Sequence, residues 1–173
     1  MKGRQGFTLI EIMIALAIVG IGLVISMSNL QLWVYKYNFS GFQREVLSSL
    51  KQARTLSVSS QFQHRIIFNL DTGAVTLERR IAVSNPWVAV PGGVRAQAGV
   101  QLGSVTPTPG APETSGTFAL ILNPSSEVLA QSDPADDNTI APVTQTDIGL
   151  VGRNPGDAAT IRVYGWTGKA RIQ

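Results

Sequence analysis

The chain has 173 residues, with 14 basic against 11 acidic side chains, one histidine and no cysteine. A thiol nucleophile and a cysteine-ligated zinc are therefore excluded, and the single histidine, His64, excludes a multi-histidine metal site within one chain. The formal charge of +3 is weak grounds for a polyanionic partner: without Lys2 and Arg4 the 14 basic residues become 12 against 11 acidic ones, close to +1.

The first six residues form a basic leader that ends in Gly6. From Phe7 to Ile25 only Thr8 and Glu11 are polar, apart from Gly20 and Gly22. As a helix this run spans roughly 29 Å, close to the hydrocarbon thickness of a bilayer. Residues 7–28 are accordingly read as a membrane helix, with Lys2 and Arg4 held on the cytoplasmic side. A cleaved secretory signal is the competing reading, but its small-residue site would be Ala15-x-Ala17, in the middle of the apolar run. A carboxylate at Glu11 is costly in lipid. It either reaches headgroups at the helix end or pairs with a cation brought by another molecule.

Residues 29–62 are expected to continue the helix. Val46, Leu50, Ala53 and Ser57 form one stripe, opposite Gln43, Lys51 and Gln52, as suits a helix laid on a sheet. Asn38–Gly41 and the Gly20/Gly22 pair are expected soft spots. The period then changes, and residues 63–173 are predicted to form an antiparallel β-domain. His64–Leu70 and Ala74–Arg79 flank Asp71-Thr72-Gly73 as a hairpin, and Trp87–Val90 and Val94–Leu102 are weaker strands. Residues 103–116 read as a loop and Thr117–Leu122 as a central strand. Asn123-Pro124-Ser125-Ser126 turns the chain into Glu127–Gln131, and residues 132–144 read as a second loop with an acidic centre. Ala159–Tyr164 and Lys169–Ile172 close the chain as a hairpin around Gly165-Trp166-Thr167-Gly168.

Gly6-Phe7-Thr8-Leu9-Ile10-Glu11, between a basic leader and an apolar helix, resembles the prepilin signal of type IV pilins and type II secretion pseudopilins. The resemblance implies a non-enzymatic filament subunit. A prepilin peptidase cleaves between Gly6 and Phe7 and N-methylates Phe7, and Glu11 neutralises the N-terminal amine of a neighbouring subunit. Other implied partners are further major and minor pilins or pseudopilins and an inner-membrane assembly platform. The implied topology is single-pass in the inner membrane, with a periplasmic β-domain that later joins the filament, near its tip.

Shorter matches resemble the GspH/FimT/FimU minor branch. Leu50–Ser57 resembles the end of its helix, with Ser57 or Val58 where alanine is usual. Leu122–Val128 resembles a hairpin that normally has glycine where this chain has Ser126, and Ile161–Arg171 resembles the final hairpin. The fold class implied is α+β, a long N-terminal helix packed on antiparallel sheets. Pilus, secretion pseudopilus and DNA-capturing competence pilin all remain open.

No cofactor is expected. Ser48, Ser49, Ser57, Ser59 and Ser60 with His64 lack an elbow motif for nucleophilic catalysis, and His64 at a strand head reads as a surface or cap residue. Asp133-Pro134-Ala135-Asp136-Asp137-Asn138 offers oxygens to calcium but equally reads as a solvated acidic loop. Gly168-Lys169-Ala170-Arg171, with Arg162 and Trp166, resembles the C-terminal stretch through which certain FimT-type pilins bind DNA, with Lys169 in place of an arginine. The alternative there is an ordinary last hairpin. Trp87, beside Pro86 and Pro91, is read as core in preference to a contact with neighbouring subunits.

Overall fold

The computed structural model describes residues 8–154 and 156–173, with the side chains of residues 25–29 left aside. Gly6 and Phe7 therefore lie outside the described residues.

Helix α1 runs from Leu9 to Ser60, 52 residues. Gly20, Gly22 and Gly41 are all helical, so neither expected soft spot interrupts it. The chain divides into two units, residues 1–34 and 35–173. In the first, every described side chain from Thr8 to Val24 is exposed, among them Leu9, Ile14, Leu16 and Ile21. Among the described residues no helix is long and apolar enough to cross a membrane.

In the second unit α1 buries Phe39, Phe42, Val46, Leu50, Ala53 and Ser57. Their spacing of three and four residues forms one stripe, which extends the sequence-derived one by about two turns toward the N-terminus. Ten strands follow. A six-stranded sheet contains β1 (Gln63–Asn69), β2 (Ala74–Arg80), β3 (Val88–Arg95), β5 (Thr117–Leu122), β6 (Val128–Gln131) and β7 (Ile140–Pro142). Its order is β3-β2-β1-β5-β6-β7. A four-stranded sheet contains β4 (Val100–Thr108), β8 (Gln145–Gly152), β9 (Ala158–Tyr164) and β10 (Ala170–Ile172), in the order β10-β9-β8-β4. All pairings are antiparallel. One core joins the helix stripe to Ile66, Phe68, Leu120 and Leu122 of the first sheet and to Ile148, Leu150, Ile161 and Val163 of the second.

Several stretches depart from the sequence reading. The expected strands Trp87–Val90 and Val94–Leu102 are divided instead into β3 and β4 with a break at residues 96–99, and β7 pairs with β6 inside the expected loop 132–144. Strand β4 continues through residues 103–108, where composition predicts a loop. It is an edge strand, so Pro107 removes no needed donor, and Val105 exchanges backbone hydrogen bonds with Glu113 on the outer side. Strand β8 has no counterpart in the sequence reading. Its buried Thr146, Ile148 and Leu150 alternate with Asp147 and Gly149, which dilute the apolar signal.

Local chemistry explains two departures from the family pattern. Ser57 is fully buried, and its hydroxyl donates to the Leu122 carbonyl at 2.8 Å, an anchor that alanine lacks. Ser126 has φ 70° at the turn position where the resemblance expects glycine, so this side chain carries the left-handed conformation itself.

Candidate functional site

The N-terminal candidate is a capping box. Thr8 precedes the first helical residue. Its backbone N–H donates to Glu11 Oε2 at 3.0 Å and its hydroxyl to the same oxygen at 3.1 Å. In return the Glu11 N–H donates to Thr8 Oγ1 at 3.4 Å. Threonine followed three residues later by glutamate is the spacing that satisfies these orphan donors, and the carboxylate also faces the positive end of the helix dipole. Glu11 is exposed in the first helical turn, reachable by a cation from another chain.

The four residues of the C-terminal candidate are brought together in part: Arg162 lies directly opposite Arg171 in the β9–β10 pairing, whereas Trp166 stands apart. Arg162 is bound by Asp147 through two hydrogen bonds of 2.7 Å, Nε to Oδ1 and Nη2 to Oδ2. That bidentate bond raises its pKa above the ordinary arginine value. Trp166 is 75% exposed and lines a different pocket, of about 310 Å³, with Pro109, Pro142 and Val143. Lys169 and Arg171 do come together, in a groove of about 620 Å³ between α1 and the β9–β10 hairpin. The helix adds Lys51 and Arg54, one turn apart, and Tyr164 contributes an aromatic wall. Among the described residues no acidic side chain lines this groove. The sequence reading placed Lys51 on the outer helix face and did not join it to the hairpin. Its spacing from Arg54 was the only signal.

Gly168 allows the hairpin to approach the helix. Its φ is +58°, and an added Cβ would lie 3.2 Å from Arg54 Cδ and 3.4 Å from the Ser126 carbonyl oxygen.

The acidic loop is docked against the first sheet. Arg80 Nη1 reaches Asp137 Oδ2 at 2.7 Å, and Gln131 Nε2 donates to Asp137 Oδ1 at 3.1 Å. Partial burial pushes the Asp137 carboxyl up, but the hydrogen bonds and charge of Arg80, with Gln131 and Arg65, pull it below its ordinary value. Asp136 accepts from Asn138 N–H at the head of the 3-10 turn Asp137–Thr139, and Asp133 accepts from Ala135 N–H. Among the described residues no group of three or more His, Cys, Asp or Glu is placed to hold a metal ion. Beside the loop, Arg65 binds Glu78 and Gln131, and the Arg65 and Arg80 guanidiniums each lie 4.4 Å from the centre of the Trp87 ring. Trp87 is half-buried against these cations and not in the apolar core.

His64 is buried, with Nδ1 3.2 Å from the Phe62 carbonyl oxygen, contrary to its expected surface position. Burial lowers its pKa, and the charge of Arg79 acts in the same direction, against the Phe62 hydrogen bond. The hydroxyls of Ser49 and Ser57 donate to the carbonyls of Gly92 and Leu122.

Residues 1–27 match the family model described as the prokaryotic N-terminal methylation motif. No curated protein matches the chain. Among solved structures, the minor pseudopilin EpsH from the Type 2 Secretion System of Vibrio cholerae is similar, in two determinations. Both are 14% identical and cover 79% of this chain. One covers 93% of the EpsH chain with a TM-score of 0.50, the other 89% with a TM-score of 0.51. The likeness establishes the α+β pilin-like fold.

Proposed function

We infer that this chain, whose N-terminal methylation motif and fold together support a place in the type IV pilin and pseudopilin superfamily, is a minor pilin or pseudopilin that works as a structural filament subunit. The observation that carries the reading is the joining of that motif to a pseudopilin-like domain in one chain. Its work is assembly and not catalysis. Prepilin peptidase cuts between Gly6 and Phe7 and methylates Phe7. Residues 7–28 anchor the protein in the inner membrane, with the β-domain periplasmic, and then enter the filament core near the tip. The exposed apolar side chains from Leu9 to Val24 support this, since a run of that length needs lipid or other helices to cover it.

Glu11 gives the assembly step its chemistry. The capping box presents its carboxylate at the helix start, where the methylated amine of a neighbouring subunit would neutralise it. The test is Glu11→Ala in cells. Cleavage and methylation should persist by mass spectrometry while the protein is lost from sheared filaments; normal incorporation would remove the pairing mechanism. Gly6→Leu should leave the leader attached, and wild-type processing would contradict the cleavage site.

Cross-linking in cells separates a type IV pilus from a type II pseudopilus by the subunits recovered. The FimT-type DNA-capturing alternative has less support, because Asp147 occupies Arg162 and Trp166 lines another pocket.

A further inference from the structure

The cations of the groove differ from the three arginines that form ion pairs among the described residues. Arg65, Arg80 and Arg162 are each matched by a carboxylate at 2.7 Å. Lys51, Arg54, Lys169 and Arg171 share one groove, have no acidic residue in its lining, and form no ion pair among the described residues. Four like charges so grouped repel one another, and the arrangement relaxes when an anion enters.

The strand that carries Arg171, with Lys169 just before it, is also open. β10 is the last strand of its sheet and, among the described residues, pairs only with β9. The Lys169 carbonyl accepts from Tyr164 N–H and the Gln173 N–H donates to the Thr160 carbonyl. Antiparallel alternation then turns the N–H and C=O of Ala170 and Ile172 away from β9. A free strand edge is a template for another extended polypeptide. Lys169, whose carbonyl continues the pairing with Tyr164, and Arg171 are two residues apart, roughly 7 Å along an extended chain, which is the spacing of alternate side chains on an added strand.

We propose that this groove captures an extended acidic segment of another polypeptide, with carboxylates on Lys51, Arg54, Lys169 and Arg171 and backbone paired to the outer edge of β10. The inference stands apart from filament membership. A polypeptide fits better than a nucleic acid for three reasons. Nucleic acid has no strand backbone to pair with β10. Trp166 is outside the groove, and the Tyr164 ring already faces the Arg171 guanidinium, 5.6 Å from its centroid. With a formal charge of only +3, the chain offers a local grip in place of a long basic track.

The test uses the full chain in detergent and fluorescence anisotropy with three labelled probes: an alternating Glu-Val peptide, its Gln-Val counterpart, and an oligothymidylate. At low salt the Glu-Val peptide should bind, with the Gln-Val peptide at least about tenfold weaker. The double variant Lys51→Gln/Lys169→Gln should lose about tenfold or more for the Glu-Val peptide, with an unchanged circular dichroism spectrum. Ala170→Pro, which removes only an outward-facing donor, should weaken it severalfold. No binding of the Glu-Val peptide, equal binding of the two peptides, full binding by the double variant, or tighter binding of the oligothymidylate would each overturn the proposal.

Discussion

Helix α1 carries two apolar runs with opposite surroundings. Leu9, Ile10, Met13 and Leu16 are each more than 60% exposed, whereas Phe42, Val46, Leu50 and Ala53 are each at 1% or below. The second run is interrupted by polar residues at helical period, and it lies on strands that supply a matching apolar surface. The first is apolar around the whole helix, so no single face of it could satisfy the rest. Where the apolar residues form a stripe, the chain completes its own core. Where they encircle the helix, the apolar side chains stay exposed.

The contrast breaks most sharply by truncation. Phe42→Ala should destabilise the β-domain by about 3–5 kcal/mol in chemical unfolding. Leu16→Ala should leave that unfolding midpoint unchanged and lower recovery in sheared filaments. Glycines give the second comparison. A Cβ at Gly165 would overlap the Val143 carbonyl, so Gly165→Ala should cost at least about 3 kcal/mol, read as loss of soluble protein or a lowered midpoint. Gly20 has nothing within 4 Å, so Gly20→Ala should be neutral or raise helicity, by no more than about 1 kcal/mol.

Smaller effects sharpen the picture on the β-domain side. Ser57→Ala removes the hydroxyl that binds the Leu122 carbonyl and should cost about 1 kcal/mol. Ser126→Gly relieves a left-handed serine and should add up to about 1 kcal/mol, visible as a higher midpoint. Acid gives the last. The folded-state pKa of His64 is lowered from 6.5, so its contribution is complete above that pH. It is lost as pH falls from 6.5 through the folded value, because the unfolded chain binds the proton first. Asp137, lowered from 3.8, works in the same direction at lower pH, present above 3.8 and lost as pH falls through its folded value. Urea midpoints should therefore fall on the acid side, and His64→Gln should flatten the slope between neutrality and mild acid.

Much of the architecture was legible from local pattern. The helix stripe at Val46, Leu50 and Ala53, the first hairpin around Asp71–Gly73 and the last around Gly165–Gly168 all follow from residue spacing. Strand β8 was not legible, because glycine and aspartate alternate with its apolar residues and only pairing with β4 and β9 stabilises it. Nor was the docked acidic loop, whose partners Arg65 and Arg80 are separated from Asp137 by more than fifty residues.

By itself the sequence determined the prepilin-type signal, the α+β class and the identity of Glu11 as a lone carboxylate in an apolar run. Those depend on neighbours within a few residues, where helix and strand periods act. Tertiary structure alone decided which cations stay free. Arg162 is spent on Asp147 across a strand pair, while Lys169 and Arg171 meet Lys51 and Arg54 from more than a hundred residues away. Charge is written in the sequence, but whether a charge is already neutralised depends on distances of a few ångströms that only folding sets.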